Sequence, residues 1–299
     1  MNILTIKDLY KNFGDKKVLR GLDLTVPENS IFGFVGRNGS GKTTTMKAVL
    51  GLLKADKGEI FVSDKKVEFG QNSTNNLIGY LPDVPEFYSF LTAKEYLMLC
   101  GEMLKLPKKQ IIEKSDELLQ LVGLENEGHR IKGYSRGMKQ RLGIAQALLC
   151  SPKLLICDEP TSALDPIGRK DILDILCAAK DRTTVLFSTH ILSDVERICT
   201  DVAFLNNGKI AMQRKMSELG SLKNAQEFLV ETKRPENADL LLNSFDKVRK
   251  ENNYTVIFTG DEAKMHEVLA FVASNHISLK KIEQIEPSLE ALFMEVSAT

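Results

Sequence analysis

The sequence has no surplus of charge of either sign, which argues against the most strongly charged kinds of partner. Forty Lys and Arg residues balance forty Asp and Glu residues, so the formal net charge of the 299-residue chain is zero. Such a chain has no overall basic field to attract nucleic acid or an anionic membrane. We therefore expect no nucleic-acid partner, and a local basic patch stays open as the alternative.

Long apolar runs are missing as well. No stretch approaches the roughly eighteen uninterrupted apolar residues of a membrane-spanning helix, and residues 1–8 lack the segments of a signal peptide. We expect a chain that is neither exported nor membrane-spanning. The length predicts about two domains, and a composition of 43% hydrophobic and 27% charged residues is typical of a globular protein with a large core.

Clusters of metal-binding side chains are also absent from the sequence. The four histidines are scattered, and the five cysteines form no CxxC pair. The cysteines are Cys100, Cys150, Cys157, Cys177 and Cys199. We interpret them as reduced core residues and expect no Cys-rich or His-rich metal site.

The pattern of apolar residues predicts an α/β core with added parts. The first thirty residues alternate as antiparallel strands do, and a continuous apolar strand at 31–35 runs into a glycine-rich turn and a helix carrying Met46, Val49, Leu50 and Leu53 on one face. Residues 84–150 are mainly helical in pattern, with a capping box at Thr92 to Glu95. Two buried strands, at 154–157 and 184–187, alternate with helices, which is typical of a parallel sheet.

The last part of the chain predicts a separate small module. A hairpin signal at Asn206 to Gly208 and a short helix near 215–219 close the first unit. The remaining residues predict strands at 227–232, near 248, at 254–259 and at 277–285, and helices at 237–245, 261–274 and 289–296. We place a first domain at 1–218 and an accessory α+β domain at 219–299, and this order suits a split βαβ fold.

A glycine-rich loop supplies the first functional motif. Residues 36–43, from Gly36 to Thr43, fit G-x-x-x-x-G-K-[ST] after a strand and before a helix. Glycines let backbone amides approach phosphate oxygens, and the following helix points its positive end at the same anion. Lys42 would reach the β- and γ-phosphates, and the Thr43 hydroxyl would bind Mg²⁺. Alone, the motif predicts a nucleotide phosphate site, which a kinase would also have.

Two acidic residues follow the strand at 154–157 and suggest a division of labour. Ligands of open α/β sheets bind at the carboxyl ends of strands, where Asp158 and Glu159 lie. Asp158 can hold Mg²⁺ directly or through water, and Glu159 can polarise an attacking water. A solvated surface pair is the plain alternative, but four apolar residues precede the two acids.

A second anion-seeking helix start appears at Ser135. Ser135 is a good N-cap for a helix with Leu142, Ala145, Leu148 and Leu149, and Gly137 leaves its backbone N–H groups accessible. Two such helix starts in one chain suggest that a second chain supplies the other half of each site. A plain helix cap is the alternative.

Residues 3–215 resemble the nucleotide-binding subunit of ATP-binding-cassette (ABC) transporters. The residues that carry the resemblance are the phosphate loop, Tyr134-Ser135-Arg136-Gly137-Met138-Lys139-Gln140-Arg141, which looks like the family signature, Ser162-Ala163-Leu164-Asp165, which looks like its D-loop, and His190, which looks like its switch histidine. The resemblance implies a P-loop NTPase core with an antiparallel β-subdomain and a helical subdomain at about 84–150. It also implies a homodimer that sandwiches two ATP molecules.

The resemblance gives each motif a function. ATP would contact Phe13, through adenine stacking, and the run Gly36, Arg37, Asn38, Gly39, Ser40, Gly41, Lys42, Thr43 and Thr44. Ser135 and Gly137 would act on the ATP of the opposite protomer, and Asp165 would position that site. His190 would hydrogen-bond the γ-phosphate or orient Glu159. Phe13 has a plain alternative as a core ring, and His190 as an ordinary loop histidine.

Three positions depart from the family pattern. Asp83 stands where the family usually has glutamine, and an ionised carboxylate cannot donate a hydrogen bond. We give Asp83 a sensing or coupling role. Arg136 and Met138 replace the usual signature residues, and we leave both without a role.

These observations predict an ATPase that drives export through a separate transmembrane permease. The Gly-Tyr-Leu-Pro segment at 79–82, the signature and the tail ending near 289–293 resemble bacterial exporters of the ABC-2 type. The resemblance places the chain on the cytoplasmic face of the cell membrane, with ATP and Mg²⁺ as its cofactors. The alternative is a soluble ABC ATPase that acts as an assembly or mechanical factor without transport.

Overall fold

The chain folds into two compact units in the computed structural model, which describes residues 1–70, 73–219, 227–285 and 289. The first unit runs from Met1 to Met216, and the second begins at Ser217. No helix among the described residues combines the length and apolar character needed to cross a membrane. The helix predicted at 289–296 lies outside the described residues, except for Leu289.

The first unit contains two sheets and seven helices among its described residues. Its strands are β1 (Asn2–Phe13), β2 (Lys16–Pro27), β3 (Ile31–Gly36), β4 (Lys57–Val62), β5 (Lys65–Lys66), β6 (Ile78–Leu81), β7 (Leu154–Asp158), β8 (Thr184–Thr189), β9 (Asp201–Asn206) and β10 (Lys209–Lys215). Its helices are α1 (Lys42–Val49), α2 (Ala93–Met103), α3 (Lys108–Leu121), α4 (Arg136–Leu148), α5 (Pro166–Ala179), α6 (Leu192–Ile198) and α7 (Met216–Leu219), the last extending past Met216.

The central sheet positions the candidate site. Its order is β10-β9-β3-β8-β7-β6, and β10 alone among these strands pairs antiparallel to its neighbour. Every residue of β3, β7 and β8 is buried, which explains their continuous apolar sequences. Because these three strands are adjacent and parallel, the segments that follow them meet at one edge of the sheet.

The second sheet confirms the antiparallel pattern of the first residues. It has the order β2-β1-β4-β5, and β1 pairs antiparallel with both β2 and β4. Its buried face includes Leu4, Ile6, Leu22 and Leu24, which belong to the same apolar core as Phe32 and Phe34 of β3. The first unit therefore has a shared core beneath both sheets.

The helices mostly begin where the sequence predicts. The capping box at α2 is present, since Glu95 N donates to Thr92 Oγ1 at 3.3 Å and Thr92 N donates to the Glu95 carboxylate at 2.8 Å. Helix α1 is shorter than its apolar stripe suggested. It ends at Val49, because Gly51 N bonds to Ala48 O and Leu52 N to Lys47 O, and these contacts close the helix before Leu53.

The second unit has the element order βαββαβ. Its elements are β11 (Glu227–Thr232), α8 (Pro235–Ser244), β12 (Val248–Lys250), β13 (Thr255–Thr259), α9 (Glu262–Ser274) and β14 (Leu279–Ile285). The sheet order is β12-β13-β11-β14, and each neighbouring pair is antiparallel. Phe228 and Phe258 stack at 5.0 Å in a core that the two helices cover. This is the split βαβ arrangement that the order of elements favoured.

The prediction that all cysteines are core residues was wrong for Cys177. Cys157 is fully buried, and its burial raises the pKa of its thiol well above the usual value. Cys177 is exposed because it lies on the polar side of α5, one turn after the exposed Asp174. All five sulfurs are free of disulfide bonds.

Candidate functional site

The phosphate loop joins the end of β3 to the start of α1. Gly39 has a φ of +80° and Gly41 has a φ of +113°, and glycine adopts such left-handed conformations at little cost. The chain can therefore turn sharply into α1. The first N–H groups of this helix and its positive dipole end then face the loop, which is the arrangement that binds phosphate in many proteins.

Lys42 places a buried positive charge in this loop. Its side chain is 5% exposed, and Nζ donates to Gly36 O at 2.6 Å and to Arg37 O at 3.4 Å. The same Nζ lies 3.1 Å from Glu159 Oε1. A buried ammonium needs an anionic partner, so an arriving phosphate would compete with Glu159 for Lys42.

Thr43 and Asp158 form a group of oxygen atoms suited to a hard cation. Thr43 Oγ1 donates to Asp158 Oδ2 at 2.7 Å, and Ser188 Oγ donates to Asp158 Oδ1 at 2.5 Å. Asp158 is 3% exposed, so the carboxylate is held in place from both sides. Mg²⁺ prefers oxygen ligands and usually takes only one or two from protein beside waters and phosphate. Thr43 and Asp158 fit that requirement.

Glu159 lies at the carboxyl end of β7 in a strained turn. Its φ is +48°, and its N–H donates to Ser188 O at 3.2 Å and to Ser188 Oγ at 3.0 Å. Glu159 Oε2 is 3.0 Å from His190 Nδ1, while Oε1 has no hydrogen-bond partner among the described residues. Positive φ at a non-glycine residue is unfavourable and often marks functional sites. One carboxylate oxygen thus meets His190, and the other is left to accept a hydrogen bond.

These groups surround a cleft of about 680 Å³. The predicted residues that line it are Phe13, Asn38, Gly39, Gly41, Lys42, Thr43, Thr44, Asp83, Glu159 and His190. The structure thus brings most of the predicted site together. Gly36, Arg37 and Ser40 belong to the same loop without lining the cleft.

Phe13 lies in the lining with half of its side chain accessible. The ring is 51% exposed, so the alternative of a core ring is wrong. Lys11 Nζ lies 5.4 Å from the ring centroid and is itself paired with Asp56 at 3.0 Å. The ring is therefore held by its neighbours and available to an aromatic base.

Three lining residues were missed by the sequence reasoning. They are Lys16 and Val18 of β2, and Ser162. Ser162 was seen only as part of the D-loop motif. Lys16 and Val18 carried no motif, although Lys16 pairs with Phe13 across the first hairpin and so could have been found from the turn at Gly14.

Ser135, Gly137 and Asp165 lie outside the described residues that line this cleft. Ser135 is exposed and caps α4, since its side chain accepts from Met138 N at 3.2 Å. Asp165 is also exposed and caps α5, accepting from Gly168 N at 2.9 Å. Both caps follow the predicted pattern, and both side chains face solvent in the single chain.

Asp83 lines the cleft and also contacts the signature segment. Arg136 Nη2 donates to Asp83 Oδ1 at 3.3 Å, and the buried amide of Gln140 donates to Asp83 O at 2.6 Å. Two of the positions that depart from the family pattern therefore form an ion pair with each other. Both side chains are about half exposed, so the pair is weak in free energy, at about 0–1 kcal/mol.

Comparisons with known proteins agree with this geometry. The family described as ABC transporter matches residues 19–162. The chain is 37% identical to the uncharacterized ABC transporter ATP-binding protein YxlF of Bacillus subtilis, over 98% of this chain and 99% of that protein. It is 36% identical to the bacitracin transport ATP-binding protein BcrA of Bacillus licheniformis, over 98% and 97% of the two chains.

A solved structure gives the same result for the fold. The structure of cbiO1 from Clostridium perfringens, described as part of the ABC transporter complex cbiONQ, matches with a TM-score of 0.68 and 27% identity. The match covers 74% of this chain and 92% of that one. The chain studied here therefore has the mixed α/β fold of such cassettes, with an antiparallel β-subdomain and helical elements.

Proposed function

Since the chain belongs to the ABC transporter family of ATP-binding, ATP-hydrolysing subunits, we propose that it powers export through a separate transmembrane permease. The chain is an ATPase that binds nucleotide, and subunits of this family work with permease partners. The observation that carries the proposal is the junction of Lys42, Glu159 and His190 at one cleft, with contacts of 3.1 Å and 3.0 Å.

The proposed mechanism assigns each part of the cleft a step. The N-terminus of α1 and Lys42 bind the β- and γ-phosphates, and Phe13 stacks on the base. Thr43 and Asp158 hold Mg²⁺, which when bound neutralises charge on the phosphates. Glu159 polarises the attacking water as general base, and His190 orients Glu159 or hydrogen-bonds the γ-phosphate.

The Lys42–Glu159 contact suggests how ATP prepares the base. Without a phosphate, Glu159 is the anion next to the buried Lys42 ammonium at 3.1 Å. A γ-phosphate that takes over Lys42 would free Glu159 from this pairing. The His190 contact at 3.0 Å to the other carboxylate oxygen would then keep the side chain in place. The geometry thus supports coupling between phosphate binding and release of the general base.

The second chain in the proposal is another copy of this one. Ser135, Gly137 and Asp165 are placed on the surface, and Ile167 beside them is 72% exposed. An exposed anion-seeking helix end next to an exposed apolar side chain is suited to association. We propose that ATP joins two chains head to tail and that hydrolysis separates them.

The permease would dock on the helical part of the first unit. A groove of about 590 Å³ lies beside α2 and is lined by Tyr88, Tyr96, Met103 and Leu104 among others. Tyr88 is 56% exposed and Met103 is 75% exposed, which makes an apolar groove open to an amphipathic helix. In this proposal the chain lies on the cytoplasmic face of the membrane, with residues 1–218 as the nucleotide-binding domain and 219–299 as an accessory domain.

Export rather than uptake is the proposed direction. It is supported by the similarity of the signature and the Gly-Tyr-Leu-Pro segment to ABC-2 exporters. The name of BcrA records bacitracin transport for that relative, and this supports a transported cargo for the present chain without identifying it.

Affinity purification tests the proposal against the alternative of an assembly factor. A tagged chain carrying Glu159→Gln is purified from membranes with ATP in mild detergent, and its companions are identified by mass spectrometry. The proposal expects a stoichiometric polytopic membrane protein, and the same preparation with Lys42→Ala serves as a control for nucleotide dependence. A chain recovered only with soluble proteins would contradict the transporter function and favour the assembly factor.

A further inference from the structure

Asp194 is a buried carboxylate for which the proposed mechanism has no use. It lies on α6, four residues after His190, and its side chain is 2% exposed. Removing a carboxylate from water is unfavourable unless it gains partners. Those partners therefore indicate what the burial achieves.

Three side chains surround Asp194 in a small network. Thr161 Oγ1 donates to Asp194 Oδ2 at 2.7 Å, and Arg169 Nε donates to Asp194 Oδ1 at 2.5 Å. Arg169 Nη2 also donates to Ser193 Oγ at 2.7 Å. Thr161 follows β7, Arg169 lies on α5 and Asp194 follows β8, so one carboxylate connects three separate segments.

Two of these segments carry groups of the proposed site. Thr161 is two residues after Glu159 and directly precedes Ser162, which lines the cleft. Arg169 lies one turn after Asp165, the cap of α5. Segment 159–165, called the acidic segment below, therefore has its main side-chain link to the His190 strand end through Asp194, in addition to the direct Glu159–His190 contact at 3.0 Å.

The acidic segment is strained and needs such a link. Glu159 has a φ of +48° and Ala163 a φ of +52°, and neither residue is glycine. Conformations of this kind persist only where surrounding contacts hold them. The Asp194 network supplies buried contacts immediately next to both residues, at Thr161.

We propose that Asp194 is a positioning residue for ATP hydrolysis. By binding Thr161 and Arg169 it fixes the acidic segment against the His190 segment, and it thereby holds Glu159 and Asp165 at the distances that hydrolysis requires. The inference rests on the roles proposed above for Glu159 and His190. It goes beyond them because Asp194 acts through these residues and touches no nucleotide.

The chain offers a matched control for a merely structural role. Arg197 of α6 also contacts Asp174 of α5, at 3.1 Å, but this pair is on the surface, with exposures of 43% and 55%. Both pairs join the same two helices. If holding α5 to α6 were the whole function of Asp194, the Asp174 pair would share that function.

The test compares three variants of the full chain. Asp194→Asn keeps the size of the side chain and removes its charge, Thr161→Val removes one hydroxyl, and Asp174→Asn breaks the control pair. The kcat and KM for ATP hydrolysis are measured beside the Kd of a fluorescent ATP analogue, which also counts the folded binding sites. Asp194→Asn should lower kcat per binding site by about 10- to 100-fold, since small displacements of reacting groups are that costly.

The remaining results separate positioning from simple stability. The proposal expects Kd to stay near the wild-type value, a smaller fall in kcat for Thr161→Val, and no change for Asp174→Asn. Wild-type kcat per binding site in Thr161→Val, or an equal loss in Asp174→Asn, would overturn it even if Asp194→Asn fails to fold. Failure of the proposed function gives a different result, because Glu159→Gln would then hydrolyse ATP like the wild type.

Discussion

The first unit contains two helix starts that suit an anion, and they differ in what surrounds them. The start of α1 lies at the central sheet edge, where Lys42 is buried and Thr43 contacts Asp158 at 2.7 Å. The start of α4 has an exposed Ser135 whose side chain contacts only the backbone of its own first turn among the described residues. One start is built into a cleft, and the other faces solvent.

This difference teaches how the work is divided. The groups that bind phosphate and polarise water all belong to the α1 start, so a single chain holds the chemistry of its own ATP. The α4 start has the same dipole but lacks a buried cation or carboxylate, and it can stabilise a phosphate only when another molecule brings one. In our account the first helix start catalyses and the second completes the site of a partner copy.

The largest effect is expected from removing the base at the α1 start. Glu159→Gln keeps the shape of the side chain but cannot accept a proton from water, so turnover should fall by about 10²- to 10⁴-fold while ATP still binds. Steady-state ATPase assays and ATP-analogue binding measure the two quantities. Glu113→Gln on the exposed side of α3 is the control. Near-normal hydrolysis by Glu159→Gln would remove Glu159 from the mechanism.

A tenfold effect is expected from the cap at the α4 start. Ser135→Ala and Asp261→Ala each remove a helix N-cap, at 3.2 Å and 3.1 Å from the capped N–H, and each should destabilise its helix by about 0.5–2 kcal/mol. Only Ser135→Ala should also lower hydrolysis, by about tenfold, because only α4 is proposed to face a phosphate. If both variants hydrolyse ATP alike, the α4 start is a plain cap.

A smaller effect is expected at Phe13. Losing the stacking surface of a half-exposed ring should raise the KM for ATP about fivefold, equivalent to about 1 kcal/mol, and leave kcat nearly unchanged. Phe90→Ala, at a ring that is 62% exposed, supplies the comparison. A fall in kcat at constant KM would instead place Phe13 in a conformational step.

The smallest effect is expected from the contact between the two regions. Asp83 and Arg136 are half exposed, and their pair should contribute about 0–1 kcal/mol. A double-mutant cycle of Asp83→Asn and Arg136→Gln on the ATPase rate should therefore give a coupling of at most about fivefold. Strictly additive single effects would show that the ion pair carries no signal between the cleft and α4.

Much of this arrangement could be predicted because it depends on local patterns. The phosphate loop, the capping box at Thr92 and the caps at Ser135 and Asp165 each depend on residues within a few positions, and the structure has the expected hydrogen bonds. The parallel sheet could also be predicted, since fully buried strands have continuous apolar sequences.

The long-range contacts could not be predicted in the same way. Asp83 and Arg136 are 53 positions apart, and Thr161 and Asp194 are 33 apart. Nothing in either local sequence specifies the partner, so Arg136 had no assigned role and the Asp194 network was not seen. Cys177 shows the converse error, because an apolar sequence context does not determine which side of a helix faces solvent.

Light scattering during size-exclusion chromatography tests the central claim most directly. It measures the mass of the 33.4 kDa chain carrying Glu159→Gln, with and without ATP, beside the same chain carrying Ser135→Arg as well. We predict that ATP doubles the mass of the first protein and leaves the second a monomer that still binds ATP. An ATP-dependent dimer that forms equally well with Ser135→Arg would contradict the claim that α4 completes the site of a second copy.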